Sequence, residues 1–408
     1  MSAIVTQTSF EALVVGRGAV GAAAALGLAR LGLKVAVVAP AEPQATDAEQ
    51  YAHGNWDARV FALSPAARGL LDRLRVWDAM DSARIAPVYD MRIYPDARAG
   101  APELHFGAYE ACVDALAWIV ENRNLAGARE RAMSFAGIAS FDARVDAIDT
   151  ATPGAATVTL DDGNVLRAKL VVGADGARSP LRSMLGIEAS ERDYPQRAVV
   201  ANFETELPHR DCAYQWFGSH GILALLPLPG NRASIVWSAP PQMAESLLQA
   251  DGDSLAGRVA EVSQRVLGRL ELISPQQAFP LRLIEVSRLI APRVALVGDA
   301  AHVVHPLAGQ GMNLGFGDVA TLLEVVGARE RYRDLGDQLL LRRYERARSE
   351  PVAMMRLTTD TLQRLFDPGS ETGLPLLLRP FVGARELGWR AVASSTWLKR
   401  RLIAHAAS

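Results

Sequence analysis

The hydrophobic positions near the N-terminus fall into two apolar runs separated by an alanine-rich segment. The first run enters a glycine-rich turn, GRGAVG at residues 16–21, and the second run covers residues 34–38. Residues 22–31 are strong helix formers, and Gly32 is placed to end the helix. The pattern predicts strand, helix and strand, with a turn that exposes the amide groups of a helix N-terminus.

Two further glycine-centred blocks follow the same pattern. LVVGADGARSPLR spans residues 170–182, and RVALVGDAAHVVHPLAGQGMNLGFGDV spans residues 293–319. Each block begins with a β-branched strand that turns at glycine. Strands that lead into helices in this way favour an α/β sheet.

The chain between the second and third blocks has a different pattern. Residues 194–240 alternate apolar and polar positions around a Pro-Gly-Asn turn at 229–231, which predicts an inserted antiparallel sheet. From about Leu335 the chain is predicted to be mostly helical, with a break at residues 367–369. Residues 253–271 are predicted to form one amphipathic helix from the spacing of Leu255, Val259, Val262, Val266 and Leu270.

The glycines of the first turn have separate tasks in dinucleotide binding. Gly16 allows a tight turn, Gly18 lets the backbone approach a pyrophosphate, and Gly21 lets the helix pack close to its strand. The second strand ends at Ala39, where a carboxylate normally accepts hydrogen bonds from an adenosine ribose. Alanine cannot accept such a bond, and the next acid, Glu42, lies three residues further on.

The third block combines an aspartate with a glycine-rich helix start. The strand at 294–297 leads to Asp299, whose carboxylate can accept from a sugar-like hydroxyl, and the glycines of 308–313 offer backbone donors to an anionic group such as a reduced flavin ring. His302 and His305 have two interpretations, a structural hydrogen-bonding role or proton handling near the flavin or substrate. Their spacing does not define a metal site, and none is predicted.

Composition narrows the class of protein. The chain has 408 residues, a formal net charge of -2 and a pI near 6.4, which gives no electrostatic reason to expect a nucleic-acid partner. Cys112 and Cys212 are too few for a disulfide framework, so a reducing cytoplasm is the simplest location. No secretory signal and no apolar run of roughly 20 residues is found. The C-terminal segments LPLLLRPF and TWLKRRLI fit either packed helices or contact with a bilayer or a partner subunit.

The three motifs together resemble those of the class A flavoprotein aromatic hydroxylases, which have the p-hydroxybenzoate hydroxylase fold. GRGAVG, GADGARSPLR at 173–182 and VGDAAHVVHPLAGQGMNLGFGD at 297–318 match in order, and the third is the most specific. NWDARVFALSPAARGLLDRLRVW at 55–77 and WFGSHGILALLPLPGNRASIVWS are similar to segments of the branch that hydroxylates ubiquinone precursors. The similarity covers about residues 10–350.

This resemblance implies an α/β fold with a Rossmann-like FAD-binding domain, an inserted antiparallel-sheet substrate domain and C-terminal helices. The expected FAD-binding domain is discontinuous, over residues 1–75, 100–182 and 283–345. Residues 76–99 and 183–282 are expected to form the substrate domain, and residues 346–408 the helical C-terminal region.

The resemblance also implies the site residues. The first turn would bind the FAD pyrophosphate with Arg59 nearby, Asp299 would hold the ribityl chain, and the amides of 309–313 would cradle the pyrimidine edge of the isoalloxazine ring. Asp175 and Gly176 would line the groove shared by FAD and the nicotinamide, Asn122 would contact the flavin, and Val145 the adenine. The implied cofactor contacts are Gly16, Gly18, Ala19, Val20, Gly21, Arg59, Asn122, Val145, Asp175, Gly176, Asp299, Pro306, Gly309, Gln310, Gly311, Met312 and Asn313.

The expected substrate contacts are fewer: Trp216, Leu225 and Pro227 from the inserted sheet, and Pro306 from the third block. The aromatic side chains Trp216, Phe217 and Trp237 have two interpretations, packing in the core of the sheet or lining an apolar substrate channel.

The implied activity is FAD-dependent hydroxylation of the aromatic ring of a polyprenylated phenol or quinol in ubiquinone biosynthesis, with NADH or NADPH as reductant and dioxygen. No catalytic side chain is expected, because the flavin carries the chemistry. Two alternatives are open: a flavin hydroxylase of a small soluble aromatic, and a catalytically silent FAD-binding subunit of a quinone-biosynthesis complex. A lipophilic substrate would make a peripheral contact with the inner face of the cytoplasmic membrane useful.

Overall fold

The structure is a computed structural model that describes residues 7–41, 56–94, 103–304 and 310–366. The strands are, in chain order, β1 (Gln7–Val15), β2 (Val35–Ala39), β3 (Val60–Leu63), β4 (Ile85–Val88), β5 (Asp90–Tyr94), β6 (Leu104–Gly107), β7 (Ala117–Glu121), β8 (Ala139–Asp142), β9 (Val145–Asp149), β10 (Ala156–Leu160), β11 (Val165–Gly173), β12 (Ala189–Thr205), β13 (Cys212–Gly218), β14 (Gly221–Leu228), β15 (Arg232–Ala239), β16 (Leu270–Leu272), β17 (Gln277–Val286), β18 (Ile290–Ala291), β19 (Val294–Leu296) and β20 (His302–Val303). The α-helices are α1 (Ala19–Arg30), α2 (Pro65–Arg73), α3 (Ala108–Ala111), α4 (Asn122–Phe135), α5 (Pro180–Met184), α6 (Pro241–Leu248), α7 (Gly252–Val262), α8 (Gln310–Gly327) and α9 (Gln338–Phe366).

The first sheet brings the three glycine turns to one edge. Strands β19, β11, β1, β2 and β8 are parallel neighbours in that order, and β18, β10 and β9 extend the sheet to eight strands. Residues 12–15 of β1, 35–39 of β2 and 170–172 of β11 are all apolar and buried, as is usual for strands of a parallel sheet that helices cover. Val15 is paired with Gly173, and Gly173 with Leu296, so the turns that follow β1, β11 and β19 are adjacent.

The second sheet is the predicted antiparallel insertion. Its nine strands run in the order β20-β17-β12-β15-β14-β13-β5-β6, with β16 beside β12, and all pairs are antiparallel except β13 with β5. The Pro-Gly-Asn turn at 229–231 joins β14 to β15 as predicted. One face of this sheet packs on α6 and α7 to form a second hydrophobic core.

The expected domain limits differ from the strand pairing near residue 100. The range 76–99 was assigned to the substrate domain, yet β4 pairs with β7 in a separate three-stranded sheet with β3. Strand β6, which the sequence placed in the FAD-binding domain, instead pairs with β5 in the nine-stranded sheet. Of the strands in this region, β5 and β6 belong to the nine-stranded sheet, whereas β4 does not.

The predicted helix over residues 253–271 is half as long as expected. Helix α7 ends at Val262, Gln264 and Arg265 have φ values of 52° and 54°, and Leu270 begins strand β16. Leu270 still joins the same hydrophobic core as the residues of α7. The apolar spacing therefore fits two structures equally well, one long helix or a shorter helix followed by a turn and a strand.

Helix α9 confirms the helical character predicted after residue 335, and the predicted break at 367–369 lies outside the described residues. Among the described residues, no helix combines the length and the apolar character needed to cross a bilayer.

Candidate active site

The turn after β1 leaves the N-terminus of α1 open. Gly16 has a φ of +109°, and a Cβ atom there would lie 2.1 Å from the carbonyl oxygen of Ala174. A Cβ on Gly21 would lie 2.1 Å from the Gly16 oxygen. Gly18 caps α1 with no side-chain bond, the first turn has no acid, and nothing lies within 4 Å of its Cβ position. The backbone amides are thus free to receive a pyrophosphate, and the absence of a Cβ lets it approach.

A cleft of about 1820 Å³ separates the edge of the parallel sheet from one face of the antiparallel sheet. Ligand pockets for one small molecule commonly measure about 300–1,000 Å³, so the cleft has room for a dinucleotide and a second molecule. The predicted cofactor residues that line it are Gly18, Ala19, Val20, Gly21, Arg59, Asn122, Gly176, Asp299, Gly311 and Met312.

Other predicted cofactor residues lie elsewhere. Pro306 and Gly309 are outside the described residues, and Gln310 is the first residue of α8. Val145 is half-buried against the main core and does not line the cleft, so its contact with adenine stays a prediction. Gly16 shapes the turn from behind rather than facing the cleft.

Asp299 follows β19 and faces the cleft. Its carboxylate makes no hydrogen bond with another described residue. Burial raises the pKa of Asp299, and the nearby side chains of His302 and Arg59 partly offset this effect. Although it lies deep in the molecule, the side chain is exposed to the space of the cleft. A carboxylate held with unused lone pairs fits the hydroxyls of a ribityl chain.

The aspartate of the second motif has a different task from the one expected. Asp175 accepts hydrogen bonds from the Ser179 hydroxyl at 2.6 Å and the Leu181 amide at 3.0 Å, so its carboxylate caps α5 instead of lining the cleft. Burial raises the pKa of Asp175, and these two hydrogen bonds partly offset the effect. Arg182 donates to the Ala300 oxygen at 3.0 Å, which ties this motif to the Asp299 turn. Gly176, with a φ of +84°, and Ala174 are residues of this motif that line the cleft.

Helix α8 directs its N-terminus at the same space. Gly311 and Met312 line the cleft, while the Asn313 side chain donates to the Ala62 oxygen and accepts from the Ser64 amide, both at 2.9 Å. The amide clamp therefore holds β3 against α8, and the helix dipole favours negative charge in front of the first turn.

A buried ionic cluster behind Asp299 was missed by the sequence reasoning. Asp318 is fully buried and accepts from the Gly298 amide at 2.9 Å and Arg348 Nε at 2.7 Å, with His302 Nε2 also at 2.7 Å. Burial raises the pKa of Asp318, but His302, Arg348 and the Gly298 amide together outweigh it and hold the pKa below its usual value.

This geometry supports the structural interpretation of His302, while His305 lies outside the described residues. The feature of the sequence that could have indicated this cluster is Asp318, the last residue of the third motif. Among the described residues, no three His, Cys, Asp or Glu side chains are arranged to hold a metal ion.

Arg59 is aimed into the cleft by a second buried network that the sequence did not reveal. Asp57 accepts from the Arg59 amide at 3.0 Å and donates its own amide to Glu121 at 2.6 Å. The Asn122 amide donates to the Arg59 oxygen at 2.9 Å. The guanidinium lies 5.5 Å from the ring centre of Phe279 on the antiparallel sheet, so Arg59 stands between the two walls of the cleft.

The antiparallel wall presents the face opposite to the one predicted. Trp216 and Leu225 are buried in the core against α6 and α7, and alternation places Pro227 on the same side. The assignment of these three residues to the substrate is therefore wrong for the described structure. Trp216 stacks on Tyr94 and Tyr214, in agreement with its interpretation as sheet core. The residues of β13, β14 and β15 that line the cleft are Gln215, Ile222, Ala224, Leu226, Val236 and Ser238.

Comparisons with known proteins agree with this geometry. A family model described as an FAD binding domain matches residues 9–358. The chain is 36% identical to the ubiquinone hydroxylase UbiL of Rhodospirillum rubrum, with 97% of this chain and 89% of that protein covered. It is 34% identical to the 3-demethoxyubiquinol 3-hydroxylase of Escherichia coli, with 98% and 99% covered. Its fold is similar to the crystal structure of p-nitrophenol 4-monooxygenase PnpA from Pseudomonas putida, with a TM-score of 0.74 at 17% identity and 98% and 99% coverage.

Proposed function

This chain belongs to the family of FAD-binding hydroxylases that includes the ubiquinone hydroxylases, and on that premise we propose that it hydroxylates the aromatic ring of a polyprenylated phenol or quinol in ubiquinone biosynthesis. FAD is its cofactor. The observation that carries the substrate proposal is the cleft that joins Asp299 and the N-terminus of α8 to an apolar sheet face.

The residues of the parallel wall fit FAD from its pyrophosphate to its flavin ring. The amides at Gly18 suit the pyrophosphate, the Asp299 carboxylate suits the ribityl hydroxyls, and the first turn of α8 suits the electron-rich edge of the ring. Bound flavin supplies the redox and oxygen-transfer chemistry, with NADH or NADPH as the electron source and dioxygen as the oxidant. The protein orients the two molecules and keeps bulk water from the reacting ring.

The antiparallel wall suits a lipophilic aromatic substrate. Ile222, Ala224, Leu226 and Val236 form an apolar surface, and the cleft-facing polar groups among them are Gln215 and Ser238. Gln215 is 5% exposed, and its amide makes no hydrogen bond with another described residue. Because this amide faces the cleft with a donor and an acceptor that no other described residue uses, a ring oxygen of the substrate is the partner that this wall favours.

The cellular setting follows from the substrate. A polyprenyl chain resides in the bilayer, because each buried methylene contributes about 0.8 kcal/mol. We therefore propose that the protein works from the cytoplasm at the inner face of the membrane, within or beside a multiprotein quinone-biosynthesis complex. Flotation of the full chain with liposomes that contain the prenylated substrate tests this; recovery only in the soluble fraction contradicts it.

The central experiment measures oxygen transfer. The purified protein, loaded with FAD and supplied with NADH or NADPH and isotopically heavy dioxygen, is expected to add one heavy oxygen atom to a prenylated phenol and to discriminate against the same ring without its tail. Preference for the tail-less ring would identify a hydroxylase of small aromatics. Bound flavin without any reductant oxidation would identify a silent subunit.

The matched variant for this assay is Gln215→Leu, which has nearly the same size and no amide. We expect a higher KM for the prenylated phenol with unchanged FAD content. Removal of the gene is expected to accumulate the substrate, and its mass identifies which precursor the enzyme uses.

A further inference from the structure

The end of β2 lacks the acid that usually binds an adenosine ribose, yet an acid stands beside it. Ala39 is the register partner of Asp142, the last residue of β8. Neighbouring strands are about 4.8 Å apart, so the Asp142 backbone is displaced by one strand from the usual position of that acid. Asp142 lines the cleft, and its side chain is 64% exposed.

Arg17, the second residue of the glycine turn, joins these two strand ends. Its guanidinium donates to the Ala39 oxygen at 3.1 Å and to the Ser140 hydroxyl at 3.3 Å, and it forms an ion pair with Asp142 through one carboxylate oxygen. Arg17 and Ser140 also line the cleft, next to Gly18. The three polar groups therefore form one cluster at the end of the cleft beyond the pyrophosphate turn.

We propose that Arg17 and Asp142 together hold the adenosine ribose of FAD in this chain, in place of a carboxylate at position 39. Each ribose hydroxyl both donates and accepts a hydrogen bond. The Asp142 oxygen that Arg17 does not engage is an acceptor, and the guanidinium is a donor fixed by its bonds to Ala39 and Ser140. Arg17 reduces the conformational freedom of Asp142 before the cofactor arrives, so less entropy is lost on binding.

The position of the cluster distinguishes it from the flavin end of the site. Asp299 lies at the end of β19, whereas Asp142 lies at the end of β8, and β11, β1 and β2 separate these strands in the sheet. A change at Asp142 should therefore affect only ligands that carry adenosine. A change at Asp299 should affect ligands that carry the ribityl chain.

The test compares Asp142→Asn with Asp299→Asn in the full chain after removal of flavin, by titration of flavin fluorescence with FAD and with FMN, which has no adenosine. The matched control is Asp146→Asn, because Asp146 is an exposed acid on β9 that does not line the cleft. Asp142→Asn is expected to weaken FAD about tenfold to a hundredfold, the effect of losing a charged hydrogen bond, and to leave FMN within about twofold. Asp299→Asn is expected to weaken both flavins, and Asp146→Asn neither.

ADP, which carries the ribose and no flavin, provides a second readout by competition with FAD. Its competition is expected to weaken in Asp142→Asn and to persist in Asp299→Asn. Unchanged FAD affinity in Asp142→Asn, or equal losses for FAD and FMN, overturns the proposal. Thermal unfolding of the flavin-free variants shows whether a loss comes from misfolding. These binding results are independent of which aromatic substrate the enzyme accepts.

Discussion

The two walls of the cleft are built on different principles. On the parallel wall, the groups offered to the cofactor lie at or just after strand ends: backbone amides beside Gly18 and Gly176, and the carboxylates of Asp142 and Asp299. On the antiparallel wall, the groups offered to the substrate are side chains in the middle of strands, such as Gln215 and Leu226. The first wall depends on turns that a few consecutive residues specify, and the second depends on which face of a sheet is covered by helices.

Because of this difference, the two walls tolerate different substitutions. A strand-end turn fails when a Cβ is added at a glycine such as Gly16, whose positive φ and close contacts leave no room for a side chain. A sheet face can exchange side chains on the cleft side and keep its fold, provided that the side facing α6 and α7 stays packed. Substitutions matched across the two walls test this contrast.

The largest effect is expected from Gly16→Ala compared with Gly18→Ala. At Gly16 the new Cβ would lie 2.1 Å from the Ala174 oxygen at a φ of +109°, so we expect a loss of about 4 kcal/mol or more in the free energy of unfolding. At Gly18 nothing lies within 4 Å, so the flavin-free protein should keep its stability within about 0.5 kcal/mol while FAD binds more weakly. Urea unfolding and flavin titration measure both; equal stability of the two variants would contradict the contrast.

Stability should be almost as sensitive to changes in the buried ionic cluster of Asp318, His302 and Arg348. Asp318→Asn leaves Arg348 buried without its charge partner, so we expect a loss of about 3–5 kcal/mol. Because the pKa of Asp318 is lowered in the folded protein, its stabilising effect is present above the usual carboxyl pKa and lost as the pH falls toward the lowered value. The free energy of unfolding of the variant should therefore fall less than that of the wild type as the pH is lowered. Urea unfolding between neutral and acidic pH measures this, and parallel curves for the two proteins speak against it.

On the antiparallel wall the contrast is between two consecutive leucines. Leu225→Ala opens a cavity in the core against α6 and α7 and should cost about 2–5 kcal/mol in the free energy of unfolding. Leu226→Ala changes the cleft face, so it should cost much less stability but raise the KM for the prenylated phenol. Parallel unfolding and steady-state measurements decide this, and a reversed pattern would mean that the strand presents its other face.

The smallest effect is expected from Asp299→Asn, which should gain stability although it binds flavin more weakly. In Asp299→Asn the flavin-free protein is expected to become more stable at neutral pH, because burial raises the pKa of Asp299 and its charge opposes folding. A raised pKa means that the wild type is most stable below the usual carboxyl pKa and loses stability as the pH rises through the higher value. The gain should accordingly vanish in acid, where both side chains are neutral. Thermal unfolding across pH tests it, and a gain of equal size at every pH would exclude this cause.

The sequence predicted the parallel wall more fully than the antiparallel wall. GRGAVG identified the turn and the helix N-terminus because tight turns are specified by adjacent residues. The sequence did not identify the task of Asp175, whose carboxylate accepts hydrogen bonds from Ser179 and Leu181 at the start of α5 instead of facing the cleft. It also missed Asp142, because the pairing of Ala39 with a residue of β8 depends on strand register.

The antiparallel wall was predicted as a sheet, with its turn at 229–231, but with the opposite face toward the substrate. Side chains alternate along a strand, so a shift of one residue exchanges the two faces, and Leu225 and Leu226 are equally apolar. Only the packing of α6 and α7 decides which leucine is buried.

The clamp made by Asn313 has a consequence for how the protein is made. It joins Ser64 to a residue 249 positions later, and Asp299, which follows β19, is also contributed by the last third of the chain. At about 5–20 residues per second, a ribosome adds the second half of the clamp tens of seconds after it has released the glycine turn. During that interval the nascent chain lacks Asp299 and α8, which are expected to hold the flavin end of the cofactor. Contacts between such distant segments slow folding, so we expect the FAD site to be completed late in synthesis.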